Sequence, residues 1–170
     1  MKRTAPLLAS AWLVPIVAQA QPQQFQLKEV PARVTIYFPT QTGKLERRIV
    51  KGKLYDQMPT ALTTYASVVA EESLSLLFQH AHSSFPAGTR LTAFPVIKND
   101  VMQVSLSREF FAKGFWKSPK QTSLIVNAIV KTATENNSQS VQPLRVLLLI
   151  EGKPARNVAN IDTRNPLSPR

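Results

Sequence analysis

The side chains that could carry covalent or metal chemistry are few. The chain has no cysteine, which excludes thiol nucleophiles and thiolate metal sites. Its two histidines, His80 and His82, stand two apart near the end of a predicted helix. At that spacing they point to different helix faces, and no H-E-x-x-H pattern accompanies them. A zinc ion there would still need a third ligand from Glu71, Glu72 or elsewhere. Ser83 and Ser84 adjoin His82, but sequence adjacency is not triad geometry, and no nucleophile elbow surrounds either serine. Glu71 and Glu72 read as exposed helix residues, and Asp100 and Glu109 as turn and cap residues. None forms the carboxylate pair that glycoside hydrolysis needs across a cleft. The five glycines are scattered, so no phosphate-cradling loop exists. The chain is expected not to be an enzyme, with no catalytic residue, metal, cofactor or small-molecule substrate.

Binding chemistry is better represented. Lys and Arg number 21 against 10 Asp and Glu, a formal net charge of +11 at pH 7, which favours anionic partners. Lys44, Arg47, Arg48, Lys51 and Lys53 lie within ten residues. They are the candidate anion-binding set, suited to wall polymers or lipid head groups, or else simply a solvated basic loop. No aromatic residue interleaves them as a stacking platform would, so nucleic acid is not an expected partner. Phe115, Trp116 and Lys117 form the one aromatic and basic grouping that looks exposed. They read either as packing against the following helix start or as a partner-binding hot spot.

These residues must be positioned by the elements around them. Residues 1–20 read as a cleavable signal peptide. Lys2 and Arg3 form its charged start, Ala5 to Val17 its apolar run, and Ala18-Gln19-Ala20 its small-x-small cleavage site. The apolar run of about thirteen residues is short of the roughly twenty that span a bilayer. Cleavage would leave Gln21 as the first residue and a net charge of about +9. Without a cysteine after the cut there is no lipid attachment of that kind. The expected location is therefore periplasmic or extracellular, and not lipid-anchored. Residues 21–32, polar with Pro22 and Pro31, read as a flexible lead-in.

Val34-Thr35-Ile36-Tyr37-Phe38, stopped by Pro39, marks a strand. Residues 40–57, with Gly43, Gly52 and the basic cluster, read as a loop or a small hairpin. A helix opens at Pro59-Thr60, with Leu62, Tyr65, Ala66, Val69, Ser73, Leu76, Leu77 and His80 on one face. Two further strands, Thr89 to Ile97 and Val101 to Leu106, meet at a Lys98-Asn99-Asp100 turn. Ser118-Pro119-Lys120-Gln121 starts a second helix, which runs to about Asn136, and Leu144 to Ile150 is a buried strand. The order β-α-β-β-α-β predicts a single α+β two-layer sandwich, a four-stranded mixed sheet with both helices on one face. It spans residues 33–153, followed by an irregular tail over 154–170.

In order and spacing these landmarks resemble the GerMN domain of sporulation and spore germination. The matching runs are Val34 to Pro39, the Phe85-Pro86-Ala87-Gly88-Thr89-Arg90-Leu91 lead into the hairpin, and Val104-Ser105-Leu106-Ser107-Arg108-Glu109-Phe110. Ala128 to Thr132, Val146 to Lys153, Ile161-Asp162 and Pro166-Leu167 complete them. The family's usual Asp before Leu-Ser is Ser105 here, and its Asn is Lys131. Within these motifs, Gly88 is expected to take an unusual backbone angle, Ser107 to cap and Phe110 to pack in the core. The resemblance implies an exported or membrane-anchored envelope protein without catalytic residues, similar in fold to ring-building modules. The expected role is docking of protein partners or self-assembly.

Overall fold

The computed structural model describes residues 28–56, 64–136, 145–155 and 157–169. The expected signal peptide, residues 1–20, lies outside the described residues, as do the first seven residues of the lead-in.

Of the two readings of residues 40–57, loop or small hairpin, the structure takes the hairpin, and makes it longer than expected. β1 (Glu29–Pro39) and β2 (Leu45–Tyr55) pair antiparallel along their whole length, from Glu29↔Tyr55 to Pro39↔Leu45. β1 therefore also begins inside the expected lead-in, at Glu29. The turn between them is tied by Thr40, whose amide donates to the Lys44 carbonyl at 2.9 Å. Gly43 supplies the positive φ of 78° that the turn requires. Gly52 meets a different demand: an added Cβ there would lie 2.6 Å from Glu72 Oε1 and 2.9 Å from Leu76 Cδ1. The missing side chain lets the ribbon approach the first helix.

That helix, α1 (Tyr65–His80), is capped by Thr64, whose hydroxyl accepts the Ser67 amide at 3.2 Å. The expected start at Pro59-Thr60 lies outside the described residues. The buried face is wider than the expected one. Val69, Ser73 and Leu77 are buried as expected and Val68, Ala70, Leu74 and Phe78 are buried beside them, whereas Tyr65 is 56% exposed and His80 is exposed. The helix is covered on two sides, which widens its apolar stripe beyond one set of three-four spacings. Val68 and Val69 meet Val34 and Leu54 of the ribbon, while Leu74, Leu77 and Phe78 join the main core.

The α+β class holds, with two helices and a mixed four-stranded sheet. β3 (Val96–Lys98) and β4 (Val101–Leu106) form the expected hairpin, with Asn99 at φ 50° and Asp100 at φ 58° in its two-residue turn. The strand expected over Thr89 to Ile97 is cut to its last residues, with only an isolated bridge from Leu91 to Leu106 before it. α2 (Pro119–Glu135) starts at Ser118, whose hydroxyl accepts the Gln121 amide at 3.5 Å. It delivers β5 (Arg145–Ile150) parallel to β4. The fourth strand is not the first in the chain, which among the described residues pairs only with β2. It is β6 (Lys153–Pro154), folded back antiparallel on β5. Ile36, Leu77, Phe110, Ile129 and Leu148 join ribbon, helices and sheet in one core.

The tail is ordered rather than irregular. β7 (Asn157–Val158) and β8 (Ile161–Asp162) form a miniature hairpin, and Leu167 exchanges two 2.7 Å hydrogen bonds with Val146. Burial of Ala155, Val158 and Thr163 anchors it. Arg164 grips Asp162 through both guanidinium and backbone, holding that carboxyl down at about 2. A depressed carboxylate contributes stability above its unfolded value and loses it as pH falls through the folded one. The 162–164 turn should thus persist until about pH 2, where Asp162 protonates. A carboxyl-carbon NMR titration checks this, and an ordinary midpoint near pH 4 would contradict it.

Candidate functional site

The structure does not gather the five basic residues into one patch. Lys44 ends the turn, and the other four lie on β2, where alternation sends successive side chains to opposite faces. Arg47, Lys51 and Lys53 share the outer face with Ile49. Arg48 belongs to the opposite face, its guanidinium 4.1 Å from the Phe38 ring centroid.

Three of the five are also engaged within the molecule. Arg47 lies 3.5 Å from Glu135, Arg48 2.8 Å from Glu46 and Lys53 2.8 Å from Glu29. The hydrogen bond with Glu46 raises Arg48 and lowers its partner, and the bond to Glu29 raises Lys53. All are exposed pairs, readily screened and exchanged. Beside Arg47, Tyr37 is raised by burial and by Glu135, with the Lys131 ammonium 5.5 Å from its ring. Arg33 and Lys51 are register partners across the ribbon, and neither has an ion pair among the described residues. Near these cations sits Ile49, 61% exposed.

The two edges of the ribbon differ. On β1, the Thr35 amide donates to Asn136 Oδ1 at 2.6 Å, Asn136 Nδ2 donates to the Thr35 carbonyl at 2.8 Å, and the Tyr37 amide donates to Thr132 Oγ1 at 2.9 Å. Side chains of α2 and its cap thus close that edge in place of a strand. Since Thr35 and Tyr37 direct their backbone groups away from β2, their register partners Ile49 and Arg47 direct theirs away from β1. The same parity applies to Lys51 and to Lys53, whose amide donates to Glu72 Oε1 at 2.7 Å. Glu72 therefore closes the far end of the β2 edge. At Arg47, Ile49 and Lys51 the edge is open among the described residues.

Phe115 and Trp116 are half-buried parts of the core wall. The Trp116 indole donates to the Phe110 carbonyl at 2.9 Å and its ring stands edge-on to both Phe110 and Phe115, centroids 5.1 Å apart in each case. Packing accounts for both rings; Lys117 beside them is exposed.

A cleft of about 510 Å³ separates the ribbon turn from the start of α2. Its walls carry the hydroxyls of Thr40, Thr42, Ser83, Ser84 and Ser118 and the cation Lys120. Among the described residues no carboxylate or imidazole lines it, and His82 turns its Nδ1 toward the Gln79 carbonyl, 3.3 Å away. Burial holds Glu71 above the usual carboxylate range, but the hydrogen bond it accepts from Ser75 is local to α1. Among the described residues no three His, Asp or Glu side chains are placed to hold a metal ion. None of the described helices is long and apolar enough to cross a membrane.

Sequence reasoning missed the open edge, because which backbone groups face outward depends on pairing register. The signal within reach was the period-two run Arg47, Ile49, Lys51, Lys53, opposed by Val50 and Leu54.

Residues 35–156 match the family model Germane, described as sporulation and spore germination. No curated protein matches the chain. Among solved structures, a candidate lipoprotein from Clostridium perfringens superposes with a TM-score of 0.50 at 14% identity, covering 82% of this chain and 87% of that one. The first GerMN domain of the sporulation protein GerM from Bacillus subtilis gives 0.49 at 18% identity, over 81% of this chain and 97% of that one. The tandem GerMN domains of the same protein give 0.47 at 17% identity, over 90% of this chain and 50% of that one.

Proposed function

The chain belongs to the Germane family, the GerMN domains of sporulation and spore germination, and from that premise we propose that it is an exported, non-catalytic envelope domain that docks a partner protein through the outer face of its ribbon. The observation that carries this reading is Ile49, a large apolar side chain 61% exposed among cations. A partner laid on that face would take the side chain out of water and gain the free energy of its burial. The cleft beside α2 supports a non-catalytic role, since no hydrogen bond joins Lys120 to any of its serine or threonine hydroxyls among the described residues.

A photoreactive residue in place of Lys51, with one in place of Lys98 as control, tests the proposal in intact cells. The expected outcome is a discrete protein adduct from position 51 that position 98 does not give. Identical adducts from both, or none from 51, would remove the basis for the reading.

The cross-strand neighbours Arg33 and Lys51 favour a second reading, in which the ribbon grips anionic wall polymer or lipid head groups. That binding would fall steeply with salt, and sedimentation with anionic vesicles at rising salt, using the Arg33→Ala/Lys51→Ala variant as control, separates the two.

A further inference from the structure

We infer that the open edge of β2 accepts an extended acidic segment of a partner protein as an added antiparallel strand, in the sequence pattern acidic–x–apolar–x–acidic. The inference rests on the docking reading above and specifies its chemistry. Arg47, Ile49 and Lys51 present outward backbone groups at two-residue spacing, the arrangement that strand addition uses for affinity. Their side chains share one face, so a strand laid alongside places its own alternate side chains directly opposite, within about 5 Å at Cβ. An apolar residue then covers Ile49, and a carboxylate meets each of Arg47 and Lys51. The Arg47–Glu135 pair is 3.5 Å long and exposed on both sides, so the guanidinium can share or exchange its carboxylate. The window is bounded, because Glu72 already occupies the Lys53 amide.

Charge complementarity also decides against a second copy of this chain. Two β2 strands paired antiparallel about Ile49 would set Arg47 of each opposite Lys51 of the other. Like charges directly opposite destabilise a pair, and basic residues on an edge serve elsewhere to prevent such self-pairing. The same row attracts an acidic strand. A lipid surface or wall polymer could neutralise the cations, but neither offers backbone groups to the edge.

The test uses the full chain and a peptide with the core Glu-Thr-Val-Thr-Glu. Binding should slow amide hydrogen exchange at Ile49 and Lys51 and leave the already paired Arg48 and Val50 amides unchanged. N-methylation of the peptide's valine, which removes the donor facing Ile49, should weaken binding on the order of ten-fold. N-methylation of a threonine, which faces solvent, should not. A Lys-Thr-Val-Thr-Lys core should fail on the native chain and bind the Arg47→Glu/Lys51→Glu variant. Absence of acidic-peptide binding, or binding indifferent to valine N-methylation and without new protection, would overturn strand addition. A protein adduct from position 51 alongside either result would leave docking standing and refute only this inference.

Discussion

Replacing Phe110 with alanine is expected to cost about 3–5 kcal/mol of folding stability. The ring is fully buried on the short 3₁₀ turn Arg108–Phe111 that follows β4. Phe111 and Trp116 stand edge-on to it, each with centroids 5.1 Å away, and the Trp116 indole reaches the Phe110 carbonyl. Truncation would leave a cavity between rings that are themselves fixed, one by the chain turn and one by a hydrogen bond, so collapse can recover little of the loss. Chemical denaturation should show a lower midpoint with an unchanged slope, and Trp116 fluorescence should shift red as water reaches the indole. Phe110→Leu, which keeps most of the volume, should lose much less. A loss below about 1 kcal/mol for the alanine variant would mean that this corner repacks freely, contrary to the ring geometry.

The residues that announced themselves in sequence are those whose conformation is set locally. Ser118-Pro119 starts α2 because a cap and a preset φ act within one turn, and Asn99-Asp100 makes the hairpin because both residues take positive φ. Gly88 likewise has the φ of 85° that its motif suggested. β2 was left open between loop and hairpin for the opposite reason. Its cations and Gly52 have weak intrinsic strand preference, and it becomes a strand through eleven register partners on β1. The tail's prolines suggested irregularity, yet buried Val158 and the Leu167–Val146 bridge fix it through residues distant in sequence. Ser107 shows the same limit. It stands at the cap position, but its hydroxyl donates to the Gly88 carbonyl at 3.1 Å instead of capping the turn. For the candidate surface, the charges were legible and their division between two faces was not, since that depends on where β2 begins.

Asn136 makes the position of the ribbon testable with a single atom-for-atom change. Its amide replaces a strand at the outer edge of β1, accepting from the Thr35 amide at 2.6 Å and donating to the Thr35 carbonyl at 2.8 Å. It also donates to the Thr132 carbonyl at 3.3 Å. Thr35 is only 7% exposed, so water cannot fully replace the lost partner. Asn136→Ala should therefore cost about 2 kcal/mol, the penalty of leaving a buried donor and acceptor unmet rather than the smaller net worth of a hydrogen bond. Asn136→Asp should be no better, because its carboxylate would face the carbonyls of Thr35 and Thr132 in place of a donor. Hydrogen exchange would locate the effect. The Thr35 amide should speed up by more than the global loss of stability accounts for, while Ile36 and Phe38, bonded within the ribbon, follow the global loss alone. Uniform acceleration would mean that Asn136 acts on the whole fold and not on this edge.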